Sequence, residues 1–277
     1  MYQEIREPVE NDFHEVNKFI VEQLHSEVSL VESIGHYIVE AGGKRMRPIL
    51  VLLAARGNGI ENDLHIPMAA VIEFIHTATL LHDDVVDMSK LRRGRPTVNA
   101  EWNNPSSVLV GDFIYSRAFQ VLVQIADMRI MEIIANTTNR IAEGEVLQLI
   151  EKSNPQTSEE NYMRVITNKT AILFQAAAQC GAILSKSDSE IEEALRSFGM
   201  ELGLAFQLID DVLDYSGTAD ELGKNVGDDL SEGKSTLPLI YASKNGSTVQ
   251  RMVILESLNA KKLTMGLLDN VIEIVQD

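Results

Sequence analysis

Cysteine is nearly absent: Cys180 is the one thiol in 277 residues. A lone cysteine excludes a disulfide within the chain and suits a reducing compartment. Its setting, Ala176-Ala-Ala-Gln-Cys-Gly-Ala182, reads as a small buried helix residue and not as a nucleophile. Positive charge is the second shortage, with 24 Lys and Arg against 41 Asp and Glu and a formal charge of -17. That balance argues against nucleic acid or an anionic membrane surface as a general partner. An anionic substrate would therefore need a local basic cluster. No uninterrupted apolar run reaches transmembrane length. The first residues, Met-Tyr-Gln-Glu-Ile-Arg-Glu-Pro, are polar and acidic and do not form a signal peptide. No β-type alternation, internal repeat, low-complexity tract or interdomain linker stands out either. A soluble cytoplasmic protein is the expectation.

What the chain does contain is apolar periodicity. It is 45% hydrophobic and 23% charged, enough for a sizeable core. Phe13, Val16, Phe19, Ile20, Leu24, Val28, Val31, Ile34 and Ile38 recur at spacings of three and four, predicting amphipathic helix over 11–40. Gly42-Gly43 ends it, and Pro48 suits the first turn of the next helix, an apolar one over 49–57. A further helix is expected over 64–88, and two long ones over 106–151, broken near Asp127. Helices over 159–185 and 188–215 follow, and Thr236-Leu-Pro238 starts the last ones. The small residues 176–182 admit either a close helix or a long ligand. Such runs joined by short turns predict an all-α bundle in one domain.

Two of these helices end alike. Asp83-Asp-Val-Val-Asp87 closes one and Asp210-Asp-Val-Leu-Asp214 the other, each after an apolar run. At about 100° per residue, Asp83 and Asp87 share a face one turn apart, with Asp84 on the flank; Asp210, Asp211 and Asp214 repeat this. Crowded carboxylates destabilise a helix by a few tenths of a kcal/mol per close pair. A bound cation would offset that, and the oxygen-only donors suit Mg²⁺, which takes a few protein oxygens and keeps water or substrate phosphate for the rest. The apolar Val85, Val86, Val212 and Leu213 between the aspartates speak against merely solvated acidic ends.

Basic clusters supply the complement. Lys44-Arg-Met-Arg47 sits at a helix start, where the dipole disfavours cations. A bound anion reconciles the two, although a solvated basic loop would read similarly. Arg92-Arg93-Gly94-Arg95-Pro96 forms a second basic loop, rich in the side chain that grips phosphate with two parallel hydrogen bonds. His76 lies two turns before Asp83 on nearly the same face; taken alone, it is more often a satisfied core histidine. Lys169 in apolar surroundings must find an anion. Residues 216–233 make a polar loop holding Lys224, Asp228 and Asp229, of a length usually tied to function.

These motifs, in this order from about Asn11 onward, resemble the trans-isoprenyl diphosphate synthase family, nearest its long-chain, octaprenyl-type branch. The resemblance implies the isoprenoid synthase fold: one domain, residues 1–277, of about ten or more helices around a deep central cavity. Long-chain members continue for several more helices, so the chain is expected to lack the last of them. The implied substrates are isopentenyl diphosphate and an allylic diphosphate such as farnesyl diphosphate. Mg²⁺ is the implied cofactor, three ions per active site with substrate bound, with Asp83, Asp87 and Asp210 as ligands. All six aspartates, Lys169 and Lys224 are the implied catalytic set. Lys44, Arg47, His76 and Arg93 would hold isopentenyl diphosphate; Arg92, Lys169, Thr170, Gln207, Lys224 and Lys234 would hold the allylic diphosphate.

The implied reaction is head-to-tail condensation. Two facing carboxylate clusters would hold the metals on the allylic diphosphate, which ionises, and the double bond of isopentenyl diphosphate attacks the cation. The sequence offers no evident general base, and in the family the released diphosphate takes the last proton. Chain length would be set below the first motif by Ala78 and Thr79, one turn or about 5.4 Å deeper, and then by Ile75. A floor from Phe119, Met131 or Ile134 is open. The family also implies a homodimer, contacting through 106–151, a quinone side-chain pathway and a product that partitions into membrane. A farnesyl- or geranylgeranyl-length synthase, a terpene cyclase-like enzyme and a non-catalytic subunit of a heteromeric synthase are the alternatives.

Overall fold

The computed structural model describes residues 2–152, 154–217, 226–260 and 263–277. Helix dominates, as the periodicity predicts, and the strands among the described residues are one two-residue pair. The chain packs into two compact units, Met1–Thr138 with Ile172–Glu201 and Asn139–Ala171 with Leu202–Asp277.

In the first unit, short α1 (Tyr2–Arg6) leads into α2 (Glu10–Gln23), which buries Phe13, Val16 and Ile20. The helix expected to run on to residue 40 breaks, and α3 (Ser29–Glu40) starts anew. Neither glycine nor proline causes the break. Ser26 Oγ accepts the Val28 N–H at 3.2 Å, and the His25 ring bonds Glu32 at 2.8 Å, a local alternative to the helical hydrogen bonds. The next helix, α4 (Met46–Gly57), buries seven of its twelve residues. It packs against α10 (Ile172–Leu184), whose small residues are nearly all buried. Close helix packing thus accounts for that run, and burial pushes the Cys180 thiol up, away from the reactive thiolate.

Helix α5 (His65–Val86) is the axis of this unit, with twelve buried residues including Met68, Ile72 and Phe74. A hairpin of β1 (Leu91–Arg92) and β2 (Arg95–Pro96) and a turn, α6 (Val98–Glu101), join it to α7 (Asn104–Ile125). By length and composition α7 could cross a membrane. It packs along α5 with Val110, Ile114, Ala118, Val121 and Ile125 buried in one stripe. The break expected near Asp127 is present. Ala126 takes a left-handed φ of 58°, and Asp127 Oδ1 accepts the N–H groups of Arg129 and Ile130, starting α8 (Met128–Glu151).

The second unit holds the later part of α8, then α9 (Glu159–Ile166), capped by Ser158. The helix predicted over 159–185 is interrupted by a π-helical turn, Thr167–Ala171. After the later part of α11 (Ser189–Ser216) come α12 (Asp228–Ser231), α13 (Leu237–Asn245), α14 (Thr248–Asn259) and α15 (Met265–Gln276). Tyr215, Leu230, Leu239, Ile254, Leu258 and Val271 form its core. The loop expected at 216–233 lies partly outside the described residues, and Lys224 with it; α12 occupies the described part.

Candidate active site

The first aspartate motif ends α5, and the Asp87 N–H still reaches the Asp83 carbonyl at 2.8 Å. Asp83, Asp84 and Asp87 thus sit at a helix C-terminus, where the last carbonyls already concentrate negative partial charge. Asp84 is buried and takes both the Nε and Nη2 of Arg92 on its Oδ1, at 2.9 and 2.6 Å. Burial raises its pKa, and the Arg92 guanidinium opposes the rise. Asp83 and Asp87 remain partly exposed. Val86 is also exposed, as are Val212 and Leu213 in the second motif. The apolar residues between the aspartates therefore do not shield them, since their side chains leave the helix on other faces.

Both basic loops place an arginine in backbone conformations that side chains rarely adopt. Arg45 has φ 45°, and Arg93 has φ 52° beside Gly94 at 73°. Two successive positive φ values are what a tight two-residue hairpin between twisted strands requires. That turn aims the Arg93 guanidinium at the Gly42 carbonyl, which accepts its hydrogen bond. A Cβ on Gly43, itself at φ 139°, would stand 2.5 Å from Arg93 Nη1. Close approach of loop and arginine thus depends on the Gly42-Gly43 pair. Glu73, 8% exposed, faces this group, with Oε1 3.8 Å from Arg45 Nε. Burial raises its pKa, while Arg45, Arg47 and Arg93 pull it down.

Arg47 lies 4.3 Å above the Phe174 ring, and burial pushes its pKa down to about 10. Its Nη1 is 3.3 Å from His76 Nε2. Burial and the guanidinium groups of Arg47, Arg93 and Arg92 hold the imidazole well below its ordinary 6.5, so it is neutral. Arg47, His76 and Arg93 lie in one group. Lys44 stands exposed on the same loop.

In the second unit the π-helical turn is gripped by two glycines. A Cβ on Gly144 of α8 would meet Asn168 and Lys169 at 2.9 Å, and one on Gly203 of α11 would meet Ala171 Cα at 2.5 Å. Such wider turns recur at functional sites. This one presents Lys169, whose Nζ sits 2.7 Å from both Glu145 Oε2 and Gln148 Oε1, the anion a part-buried lysine needs. It also presents Thr170, which donates to Gln207 Oε1 at 2.9 Å. Gln207 Nε2 donates to Asp211 Oδ1 at 2.7 Å, and the Tyr162 hydroxyl to Asp211 Oδ2 at 2.6 Å. Asp211 is 3% exposed, and burial pushes its pKa up to about 7 despite those two donors. Asp214 is fully buried and accepts the Asp229 N–H at 3.2 Å. Asp210 is partly exposed. Lys234 pairs with Glu232 at 2.6 Å.

The two motifs agree at their first two positions, the first partly exposed and the second buried, and differ at the last. Asp84, Asp211 and Asp214 are buried and bonded to the protein, whereas Asp83, Asp87 and Asp210 reach solvent. Among the described residues, no group of three or more His, Cys, Asp or Glu side chains is placed to hold a metal ion alone. Mg²⁺ binds through one or two carboxylates and fills its octahedron with water and phosphate. The oxygen-only donors at helix C-termini fit a hard cation.

Within the first unit, a cavity of about 70 Å³ runs along one face of α5, past Asp84, Leu81, Leu80, Thr77 and Phe74. Ile75, Ala78 and Thr79 are not in its described walls; Ile75 and Ala78 are buried, and the Thr79 hydroxyl bonds the His76 carbonyl at 2.8 Å. Sequence reasoning missed Tyr162, Glu73 and Glu145. Each acts through a residue 24 or more positions away, or through a cluster assembled from several elements.

An all-helical chain with two aspartate-terminated helices and an arginine–histidine cluster defines an isoprenoid-synthase type of protein. Residues 28–275 match the Polyprenyl synthetase family, and the chain belongs to it. It is 54% identical over 252 residues to the octaprenyl diphosphate synthase of Escherichia coli (strain K12), covering 91% of this chain and 78% of that enzyme. It is 51% identical to the geranyl-diphosphate-specific all-trans-nonaprenyl-diphosphate synthase of Rhodobacter capsulatus, over 99% of this chain and 84% of that one. Among solved structures, the polyprenyl synthase of Caulobacter crescentus CB15, complexed with calcium and isoprenyl diphosphate, superposes with a TM-score of 0.97. That pair shares 42% identity and covers 100% of this chain and 84% of the other.

Proposed function

We propose that this chain is a long-chain all-trans polyprenyl diphosphate synthase, a prenyltransferase that condenses isopentenyl diphosphate onto an allylic diphosphate such as farnesyl diphosphate. The observation that carries it is the pair of aspartate motifs at helix ends, in which Asp83, Asp87 and Asp210 are partly exposed. Long-chain relatives more than half identical support the length class. The family match spans both compact units, which supports one isoprenoid synthase domain.

Asp83, Asp87 and Asp210 would hold Mg²⁺, three ions with substrate bound, supplying Lewis-acid stabilisation of the leaving diphosphate. Arg92, Lys169, Lys224 and Lys234 add positive charge to that group, and Thr170 and Gln207 orient it. Lys44, Arg47, Arg93 and neutral His76 bind isopentenyl diphosphate; an imidazolium beside Arg47 would add a buried cation at a cost. The allylic C–O bond breaks, the isopentenyl double bond forms the new C–C bond, and a proton then leaves to the released diphosphate.

The reading extends to a cytoplasmic homodimer serving quinone side-chain synthesis, with Leu109, Val123 and Met128, at 66, 67 and 76% exposed, on the contact face. Light scattering should give twice the chain mass; a monomer at micromolar concentration removes the dimer. For the reaction, pure protein with Mg²⁺, isopentenyl diphosphate and farnesyl diphosphate should give an octaprenyl-length product by chromatography. No elongation would refute the synthase reading, and a farnesyl- or geranylgeranyl-length product would refute the long-chain assignment.

A further inference from the structure

One buried tyrosine has no role in the scheme above. Tyr162 sits in α9, one turn before the π-helical turn, and is 5% exposed. Its hydroxyl donates at 2.6 Å to Asp211, itself 3% exposed. Burial and the Asp211 charge raise the phenol's pKa, so it stays a donor.

The contact is the end of a chain of four. The two Asp211 oxygens are taken separately, Oδ2 by Tyr162 and Oδ1 by Gln207 Nε2 at 2.7 Å. With its Nε2 so held, the Gln207 amide must turn Oε1 the other way, where Thr170 Oγ1 donates at 2.9 Å. Thr170 lies in the π-helical turn beside Lys169. An amide can flip; a carboxylate clamped on one oxygen by a buried phenol leaves Gln207 one good orientation. Asp210 precedes Asp211 on the same turn of α11.

We propose that Tyr162 is a positioning residue for the second aspartate motif: through Asp211 it sets the Gln207 amide, the Thr170 hydroxyl and the Asp210 carboxylate for a magnesium-bound diphosphate. This rests on the synthase reading for the identity of the substrate. The tyrosine touches no reacting atom. A plain tether between α9 and α11 would share the hydrogen bond, but its loss would leave magnesium and diphosphate binding unchanged.

Tyr162→Phe removes one oxygen and keeps the ring. Two measurements decide: steady-state kinetics with each substrate varied, and calorimetric binding of inorganic diphosphate with Mg²⁺. The KM for the allylic substrate, the Mg²⁺ concentration for half-maximal rate and the diphosphate Kd should each rise about tenfold, the scale of one lost hydrogen bond to a charged group. The KM for isopentenyl diphosphate should stay within about twofold, since its ligands are elsewhere in the chain. If only the melting temperature falls, Tyr162 is a tether and the proposal is overturned. Should the variant not fold, Tyr162→His, whose shorter ring does not reach Asp211, takes its place, and an unchanged diphosphate Kd there overturns the proposal too. If the parent makes no prenyl product, the synthase reading fails, and the diphosphate titration alone decides the role of Tyr162.

Discussion

The Nη1 atom of Arg47 stands 3.3 Å from Nε2 of His76. An arginine can only donate, so Nε2 accepts and the ring proton is on Nδ1. Protonating the ring would set two cations side by side in a part-buried site. This fixes a sign for pH dependence. The unfolded chain binds a proton at His76 near the ordinary 6.5, and the folded chain does so only at lower pH. Between those values the unfolded state holds more protons, so the contribution to stability is constant above about 6.5 and declines as pH falls below it, by at most about 1.4 kcal/mol per pH unit. In metal-free melts, the parent's stability relative to His76→Asn should shrink from pH 7.5 to 5.5. A difference that grows toward acid would mean that the folded imidazole is charged.

The aspartates that reach solvent should matter most to turnover. Asp83→Ala, Asp87→Ala and Asp210→Ala are each expected to lower kcat at saturating Mg²⁺ by at least ~10²-fold, the scale of one lost electrostatic stabiliser. Near-parental rates in two of the three would withdraw the metal assignment.

Gly43 gives a prediction specific to one substrate. At φ 139°, with Arg93 Nη1 2.5 Å from where a Cβ would stand, alanine must strain the backbone and displace the guanidinium. Gly43→Ala should cost about 1–3 kcal/mol of stability. The KM for isopentenyl diphosphate should rise about tenfold or more, with the allylic KM little changed. Equal effects on both substrates would show that the loop serves the whole protein and not one ligand.

Product length should respond to Ala78, which is 1% exposed one turn below Asp83. A phenylalanine there would put a ring on the path expected for the growing tail and leave both diphosphate sites untouched. Chromatography of Ala78→Phe products should show farnesyl- to geranylgeranyl-length chains at a similar condensation rate, while Ala78→Gly changes little. Parental products from Ala78→Phe would place the tail on another face of α5, such as the Asp84–Leu81–Thr77 face that lines the observed cavity.

Much of this protein follows from local rules, and those parts were legible in the sequence. Apolar spacing alone marks α4, α5, α7 and α11. The break near Asp127 has a capping residue at its site, and the paired glycines before Lys44 mark a turn. The aspartate motifs advertise a cation because three carboxylates on one turn are unfavourable wherever the helix lies. The split of α2 from α3 was not legible, because Ser26 and His25 compete with helix through weak polar bonds that leave no periodic signal. Nor was the π-helical turn, which depends on Gly144 and Gly203 pressing on it from two other helices. Tertiary structure also chose which aspartates reach solvent. Tyr162 meets Asp211 across 49 residues, and Glu73 faces Arg45 before α4, Arg47 within it and Arg93 of the hairpin. A hydrogen bond acts over about 3 Å, and only folding brings groups so far apart in the chain to that distance.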